Sequence, residues 1–505
     1  MSQSRLKNSL TNMFFGSANW IVLLILGFVI RKIMINTIGV ELLGVNGTLL
    51  DIISLLSIAD LGIHTAIVYS YYEPVAKNDI KRITALTCYY KKIYLYLGLF
   101  IFGVGLCVMP FLHLIINTAK PVPYLYFYYL LMITNVAASY LLYYRITVLT
   151  ASQKDYIRLR ATVVFNSSKI ILQGIFLLLF KSYGIFLLMN LLTTIACNVY
   201  VSHKAIKEYP YLDNQEELDE ESKKSIFSNV KSVFLYKISN IILKGTDSSL
   251  ISMLIGTVYV GFYSNYYLVS ASINNILDLI FQATTASIGN LVALEDEEYR
   301  YNTFEFMQFI SFCICAIAIP CVYLLVDDFI KVWLGADFII PNLCVIGISI
   351  NLYLCTVYLP VVTFREAVGL YRQTRYIMLA AAMINIVLSV LLSKTLGMAG
   401  ILLATPVARL LTYIWYEPRL LYKQYFGRKV YTFFIRLFCN FIVMIAIIII
   451  GKMTVSRLVV NSFGMLFVKA ICTGLLCLLI VLLVYSRRPQ FKSLMNQVTK
   501  LLKRG

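Results

Sequence analysis

Apolar runs of about 18–25 residues alternate with short polar segments along the whole chain. A run of that length crosses the hydrocarbon core of a bilayer as a helix, the form that satisfies its own backbone hydrogen bonds there. Fourteen spans can be drawn, at 13–30, 43–70, 93–111, 124–144, 161–180, 185–201, 233–255, 260–290, 304–326, 342–364, 376–393, 398–416, 433–451 and 462–486. The pattern predicts an all-α polytopic membrane protein of about 14 transmembrane helices. The first run ends in Arg31-Lys32 and not in a small-residue cleavage site, so it is expected to remain as a span.

The stretch from Val233 to Gly261 departs most sharply from plain apolarity. It carries Lys237, Asn240, Lys244 and Asp247, whose offsets of three, seven and ten residues fall on one helix face. A charge at mid-membrane depth costs roughly 2.5–3.5 kcal/mol on insertion scales, so this face should meet water or protein. Other spans carry similar stripes. Ser57, Asp60 and His64 lie on span two, Asn166, Lys169 and Gln173 on span five, and Asn274, Asp278, Gln282 and Thr285 on span eight; Thr405 and Arg409 flank Pro406 on span twelve. The proline should weaken helix hydrogen bonding there. Together the stripes nominate a cationic substrate path of Arg31, Lys32, Lys169, Lys237, Lys244 and Arg409, with Asp60, Asp247 and Asp278 as acidic path or ion-coupling positions. The alternative for any one of them is a local ion pair or a long side chain reaching the interface. The surplus of cations points to an anionic cargo.

The largest hydrophilic interruption, DNQEELDEES, puts six carboxylates between Asp213 and Glu221. It reads as a hydrated tether. The expected organisation is an N-terminal lobe at 1–208, an acidic cytoplasmic linker at 209–232, a C-terminal lobe at 233–416, and the last two spans with a basic amphipathic cytoplasmic tail at 417–505. The two lobes echo each other. Ile38-Gly39-x4-Gly44 recurs as Ile255-Gly256-x4-Gly261 at an offset of 217, and Tyr183-Gly184-Ile185 resembles Leu396-Gly397-Met398 at an offset of 213. Such an internal repeat is a common construction of secondary transporters.

The composition agrees, with 60% hydrophobic residues and a mean hydropathy of +0.78. Lys and Arg number 30 in the loops on the side of both termini and 8 in the others, which predicts a multi-pass protein of the cell membrane with both termini cytoplasmic. The net charge of +19 then reflects topology and contact with anionic membrane lipids, so no nucleic acid is expected as a partner. The eleven cysteines form no metal-like CxxC pair and there are only three histidines. No metal, cofactor or catalytic residue is expected.

The run NIVLSVLLSKTLGMAGILLAT from Asn385 to Thr405, the loop Trp333-Leu334-Gly335-Ala336-Asp337-Phe338, and Asp60-Leu61-Gly62 resemble the Wzx-type polysaccharide flippases, in the superfamily of multidrug, oligosaccharidyl-lipid and polysaccharide exporters. The resemblance covers nearly all fourteen spans. It departs just after Gly400, where Ile401 and Leu402 stand in place of small residues and argue against very close helix packing. It implies two six-helix lobes in a V around a central cavity with two C-terminal helices appended. It also implies a polyprenyl-diphosphate-linked oligosaccharide as cargo, flipped by alternating access for surface polysaccharide biosynthesis. A coupling ion, H+ or Na+, and other polysaccharide-assembly proteins are further implied partners. The rival readings are a drug or metabolite antiporter of the same superfamily, expected to have a more acidic cavity, and a membrane glycosyltransferase or polymerase. For the enzyme, only Asp327-Asp328 and Asp337 offer outward carboxylates.

Overall fold

The first helix of the computed structural model, α1 (Ser2–Leu56), joins the first two predicted spans through a sharp break at Gly39, whose φ of 84° and ψ of 168° suit glycine and few other residues. The structure describes residues 2–57, 63–152, 154–220, 223, 242–243, 245–282, 284, 288, 291–292 and 295–502. Residues 233–241 and 244 of the predicted seventh span therefore lie outside the described residues. The chain is all-helical, and among the described residues ten helices are long and apolar enough to span a membrane, or eleven with one bent pair.

Contacts divide the chain into two compact units, 1–261 and 262–505. In the first, α1 is followed by α2 (Ile63–Lys77), α3 (Ile80–Val108), α4 (Leu112–Ile115), α5 (Leu125–Tyr140), α6 (Tyr143–Ala151), α7 (Tyr156–Phe180), α8 (Tyr183–Glu208) and α9 (Asp247–Leu254). Helix α5 bends into α6 by 50°. Helix α7 packs along α1 and α8, while α5 sits against α3 and α8. Next comes α10 (Thr257–Gln282), on which the boundary between the units falls. The second unit continues with α11 (Glu297–Trp333), α12 (Asn342–Ala367), α13 (Tyr371–Leu396), α14 (Met398–Leu411), α15 (Tyr413–Tyr425), α16 (Tyr431–Thr454), α17 (Phe463–Tyr485) and α18 (Pro489–Leu502). Here α11 is the spine, touching α12, α16 and α17, and α13 with α14 forms a hairpin whose second arm lies on α12. Helix α14 passes through Pro406 and stops at Thr412, where φ and ψ of −127° and −106° start a new segment.

The repeated glycine motif is visible as a reciprocal contact inside the first unit. A Cβ on Gly44 would collide with the carbonyl of Thr257, and a Cβ on Gly261 would collide with the carbonyl of Val40. Both residue pairs are related by the same 217-residue offset, the self-complementary pattern that a two-fold relation produces. The second sequence match, Tyr183-Gly184 with Leu396-Gly397, sits in differing local structure. Gly184 sits inside α8, whereas the left-handed turn that ends α7 is made by Lys181 at φ 48°. Gly397, between α13 and α14, also has a positive φ of 57° but a ψ of −137°, a different turn. Close packing also occurs where Ile401 and Leu402 argued against it. Gly400 meets the backbone of Leu392 and Ser393, and Gly347 meets the backbone of Leu402, so the glycines permit the approach that the neighbouring side chains do not prevent.

The described part of the acidic segment is docked rather than free. Leu212 and Leu218 are buried in the core of the first unit, among side chains of α2, α3, α6 and α8. The Thr84 hydroxyl donates to the Tyr211 carbonyl at 3.3 Å and the Cys88 thiol to the Asn214 carbonyl at 3.2 Å. Glu217, Asp219 and Glu220 remain exposed between them. Self-repulsion of the carboxylates keeps one face hydrated, while two leucines six residues apart pin the other. Leu212→Ala and Leu218→Ala are each expected to cost about 2–5 kcal/mol and to speed proteolysis near Asn214; equal melting and cleavage rates for variants and wild type would contradict the docking.

Candidate functional site

The polar stripe of the fifth predicted span faces a neighbouring helix. Lys169 on α7 is half-buried and donates to the Asn190 side-chain oxygen on α8 at 3.0 Å; Gln173 is buried and donates to the Phe186 carbonyl at 2.8 Å. One helical turn separates the two bonds, so the stripe clamps α7 to α8 in a setting where water cannot substitute. Nearby, Arg31 is half-buried and Lys32 exposed, both on α1. Lys237, Lys244 and Asp60 lie outside the described residues. Ser57, on the stripe with Asp60, donates back to the Ile53 carbonyl at 2.9 Å.

Asp247 is buried in the first turn of α9, and the structure brings it together with a second carboxylate that the stripes did not single out. Asp51 on α1 accepts the backbone N–H of Ser248 at 3.0 Å. A side chain from one helix thus caps the first turn of another, satisfying an N–H group that no residue of α9 reaches and placing negative charge at the positive end of the helix dipole. Asp51 stands six residues before Ser57, about 120° around the helix from the Ser57 stripe at 3.6 residues per turn. Periodicity therefore assigns it to another face, and only its charge within an apolar run could have flagged it. Asp51→Ala is expected to lower stability by about 0.5–2 kcal/mol, with Asp51→Asn closer to wild type because it keeps an acceptor. Thermal melts of the purified variants decide this; an Asn variant as weak as Ala would remove the capping role.

In the second unit Arg409 is buried and donates to the Tyr413 hydroxyl at 2.6 Å. Tyr413 packs against Tyr358, ring centroids 5.0 Å apart. The Tyr358 hydroxyl donates to Glu417, which also receives Arg365 at 2.9 and 3.2 Å. Arg365 and Glu417 are each only 1% exposed. Thr405 accepts from the Asn385 amide at 2.7 Å, tying α13 to α14. Asp278 is half-buried on α10, while Gln282 and Thr285, assigned to the same stripe, have no described side chains. Of the three outward carboxylates that an enzyme reading leaned on, Asp337 is exposed in the turn Ala336–Phe338, while Asp327 accepts from the Tyr266 hydroxyl at 2.7 Å and Asp328 pairs with buried Lys469 at 2.6 Å. Asp327 and Asp328 serve helix packing in the second unit. The sequence-nominated positions thus fall into separate polar clusters within each unit.

No protein-family model matches the chain, and no curated protein does. Solved structures do. The lipid II flippase MurJ, in an inward closed conformation, superposes with a TM-score of 0.66 at 13% identity, covering 95% of this chain and 99% of that one. An inward-facing multidrug resistance transporter of the MATE family, of the MOP superfamily, gives 0.60 at 14% identity over 80% of this chain and 96% of that one. The MATE multidrug transporter DinF-BH gives 0.55 at 16% identity over 85% and 97%. The chain has the fold of these membrane transporters. At such low identity the likeness concerns the backbone.

Proposed function

We propose that this protein flips a polyprenyl-diphosphate-linked oligosaccharide across the cell membrane by alternating access, for surface polysaccharide biosynthesis, with both termini cytoplasmic. The observation that carries the reading is a backbone likeness to a lipid II flippase that extends over 95% of this chain and 99% of the other. In this reading the lobes lie at 1–208 and 233–416, joined by the 209–232 linker, with 417–505 appended. The proposed path residues are Arg31, Lys32, Lys169, Lys237, Lys244 and Arg409, which attract the diphosphate while the lipid tail stays in the bilayer. Asp60, Asp247 and Asp278 are the candidates for binding a coupling H+ or Na+. No covalent step is required of the protein. Other polysaccharide-assembly proteins would supply and remove the cargo.

A drug or metabolite antiporter is the second reading, favoured by the likeness to the MATE transporters and by the carboxylates Asp51 and Asp247 at one helix start. The two readings separate in vesicles reconstituted with the full chain. Translocation of a fluorescent polyprenyl-diphosphate glycan, lowered by Lys244→Ala and retained by Lys244→Arg, is the flippase result. Ion-driven efflux of a cationic dye without glycan translocation is the antiporter result and would overturn the proposal.

A further inference from the structure

In the second unit, an open cavity of about 310 Å³ lies between α11, α16 and α17 and reaches the start of α18. Its walls are apolar, with Phe309, Phe312, Val443 and Val484 prominent, and Val484 is 44% exposed on the outer surface of the bundle. Its mouth is ionic. Arg436 on α16 and Arg488 between α17 and α18 line it together with Glu305 of α11. Glu305 pairs with Arg436 and accepts the Tyr422 hydroxyl at 3.3 Å, so its charge is already committed. Arg436 keeps 35% of its side chain exposed, Arg488 is exposed, and among the described residues no carboxylate pairs with Arg488.

One turn along α11 and α16, two acceptors wait for donors. Gln308 spends its amide nitrogen on the Val357 carbonyl at 3.0 Å, and Asn440 spends its own on the Phe312 carbonyl at 3.2 Å and the Tyr485 hydroxyl at 2.7 Å. Their side-chain oxygens are buried without a partner, although each residue is at most 3% exposed and lines the cavity. A buried acceptor left unfilled is costly, so a donor-bearing occupant gains there.

We propose that this cavity is the seat of a resident anionic phospholipid with a hydroxyl-bearing headgroup, held by its phosphate on Arg436 and Arg488, by its hydroxyls on Gln308 and Asn440, and by its chains along the apolar wall. The occupant is a bilayer lipid and not the transported cargo. The site depends on the membrane setting and on the second unit alone. Two guanidiniums against one carboxylate leave a net positive mouth where a bilayer presents phosphates, and guanidinium is the side chain best matched to phosphate. Zwitterionic phosphatidylcholine brings the phosphate but a methylated cation in place of hydroxyl donors.

Native mass spectrometry of the full chain, exchanged into detergent with phosphatidylglycerol or phosphatidylcholine, reads bound lipid only on folded monomers. Phosphatidylglycerol is expected to be retained over phosphatidylcholine. Each arginine near a surface is worth roughly a factor of five, so Arg488→Gln should lower retention about fivefold and Arg436→Gln with Arg488→Gln more than tenfold. Glu305→Gln, which removes the competing carboxylate, should raise it. Equal retention of the two lipids, unchanged retention in Arg488→Gln, or release of the lipid by excess inorganic phosphate would overturn the proposal. Failure here leaves the flippase reading untouched, and a dye-only vesicle result leaves this site untouched.

Discussion

Gly44→Leu and Gly261→Leu are each expected to abolish accumulation of folded protein, whereas Gly27→Leu and Gly103→Leu should accumulate normally. The contrast follows from what each new side chain meets. At Gly44 the first added carbon lands on the Thr257 carbonyl, and at Gly261 on the Val40 carbonyl, so backbone must separate from backbone. At Gly27 and Gly103 nothing lies within 4 Å. Overpacking typically costs 1–3 kcal/mol when side chains can adjust, and here the obstructing atoms cannot, so about 3 kcal/mol or more is expected at each site. Helix propensity favours leucine over glycine, so the two control substitutions have no intrinsic penalty. Membrane-fraction immunoblots and size-exclusion profiles of the four variants measure the outcome. A monodisperse, normally abundant Gly44→Leu protein would show that the two arms of the repeat do not approach as closely as described.

The glycine motif was legible because the sequence shows spacing, and spacing is what a repeat conserves within one chain. The turn at Lys181 was not legible, because lysine rarely adopts φ near +48° and gives no sequence signal for it. The all-helical membrane fold was legible in the same direct way, from apolar runs alone. The polar interior was legible as stripes but not as partners. Lys169 and Gln173 share a face by arithmetic, yet only the packing of α7 on α8 reveals that this face is spent on Asn190 and Phe186. Asp51 was hidden by the opposite effect, since it lies off the stripe and its role as a cap depends on the start of a helix 197 residues away. In the acidic segment the carboxylates drew attention from Leu212 and Leu218, which two isolated apolar residues in a charged run will always do.

Arg365 and Glu417 were missed for a boundary reason: the spans drawn at 342–364 and 398–416 each stopped one residue short, so both charges counted as loop. The structure puts them inside α12 and α15, 1% exposed, with the Tyr358 hydroxyl on Glu417. Desolvating both ions is costly, and the pair is tolerated because each charge answers the other and added hydrogen bonds fill the carboxylate's remaining lone pairs. Removing one partner forfeits the attraction but keeps the desolvation. Glu417→Ala and Arg365→Ala are therefore expected to destabilise by about 3–5 kcal/mol each, the first leaving a buried guanidinium without its 2.9 Å carboxylate partner. Replacing both, as Arg365→Met with Glu417→Leu, removes the two charges together and should recover most of that loss, because apolar groups of similar volume need no partners. Glu417→Gln should fall between, keeping an acceptor for Tyr358 but not the charge. Denaturant titrations of the detergent-purified variants give the four values. A double variant less stable than either single variant would mean that Tyr358, Tyr413 and Arg409 depend on the charges themselves, and the pair would then be a cooperative network in place of two mutually cancelling ions.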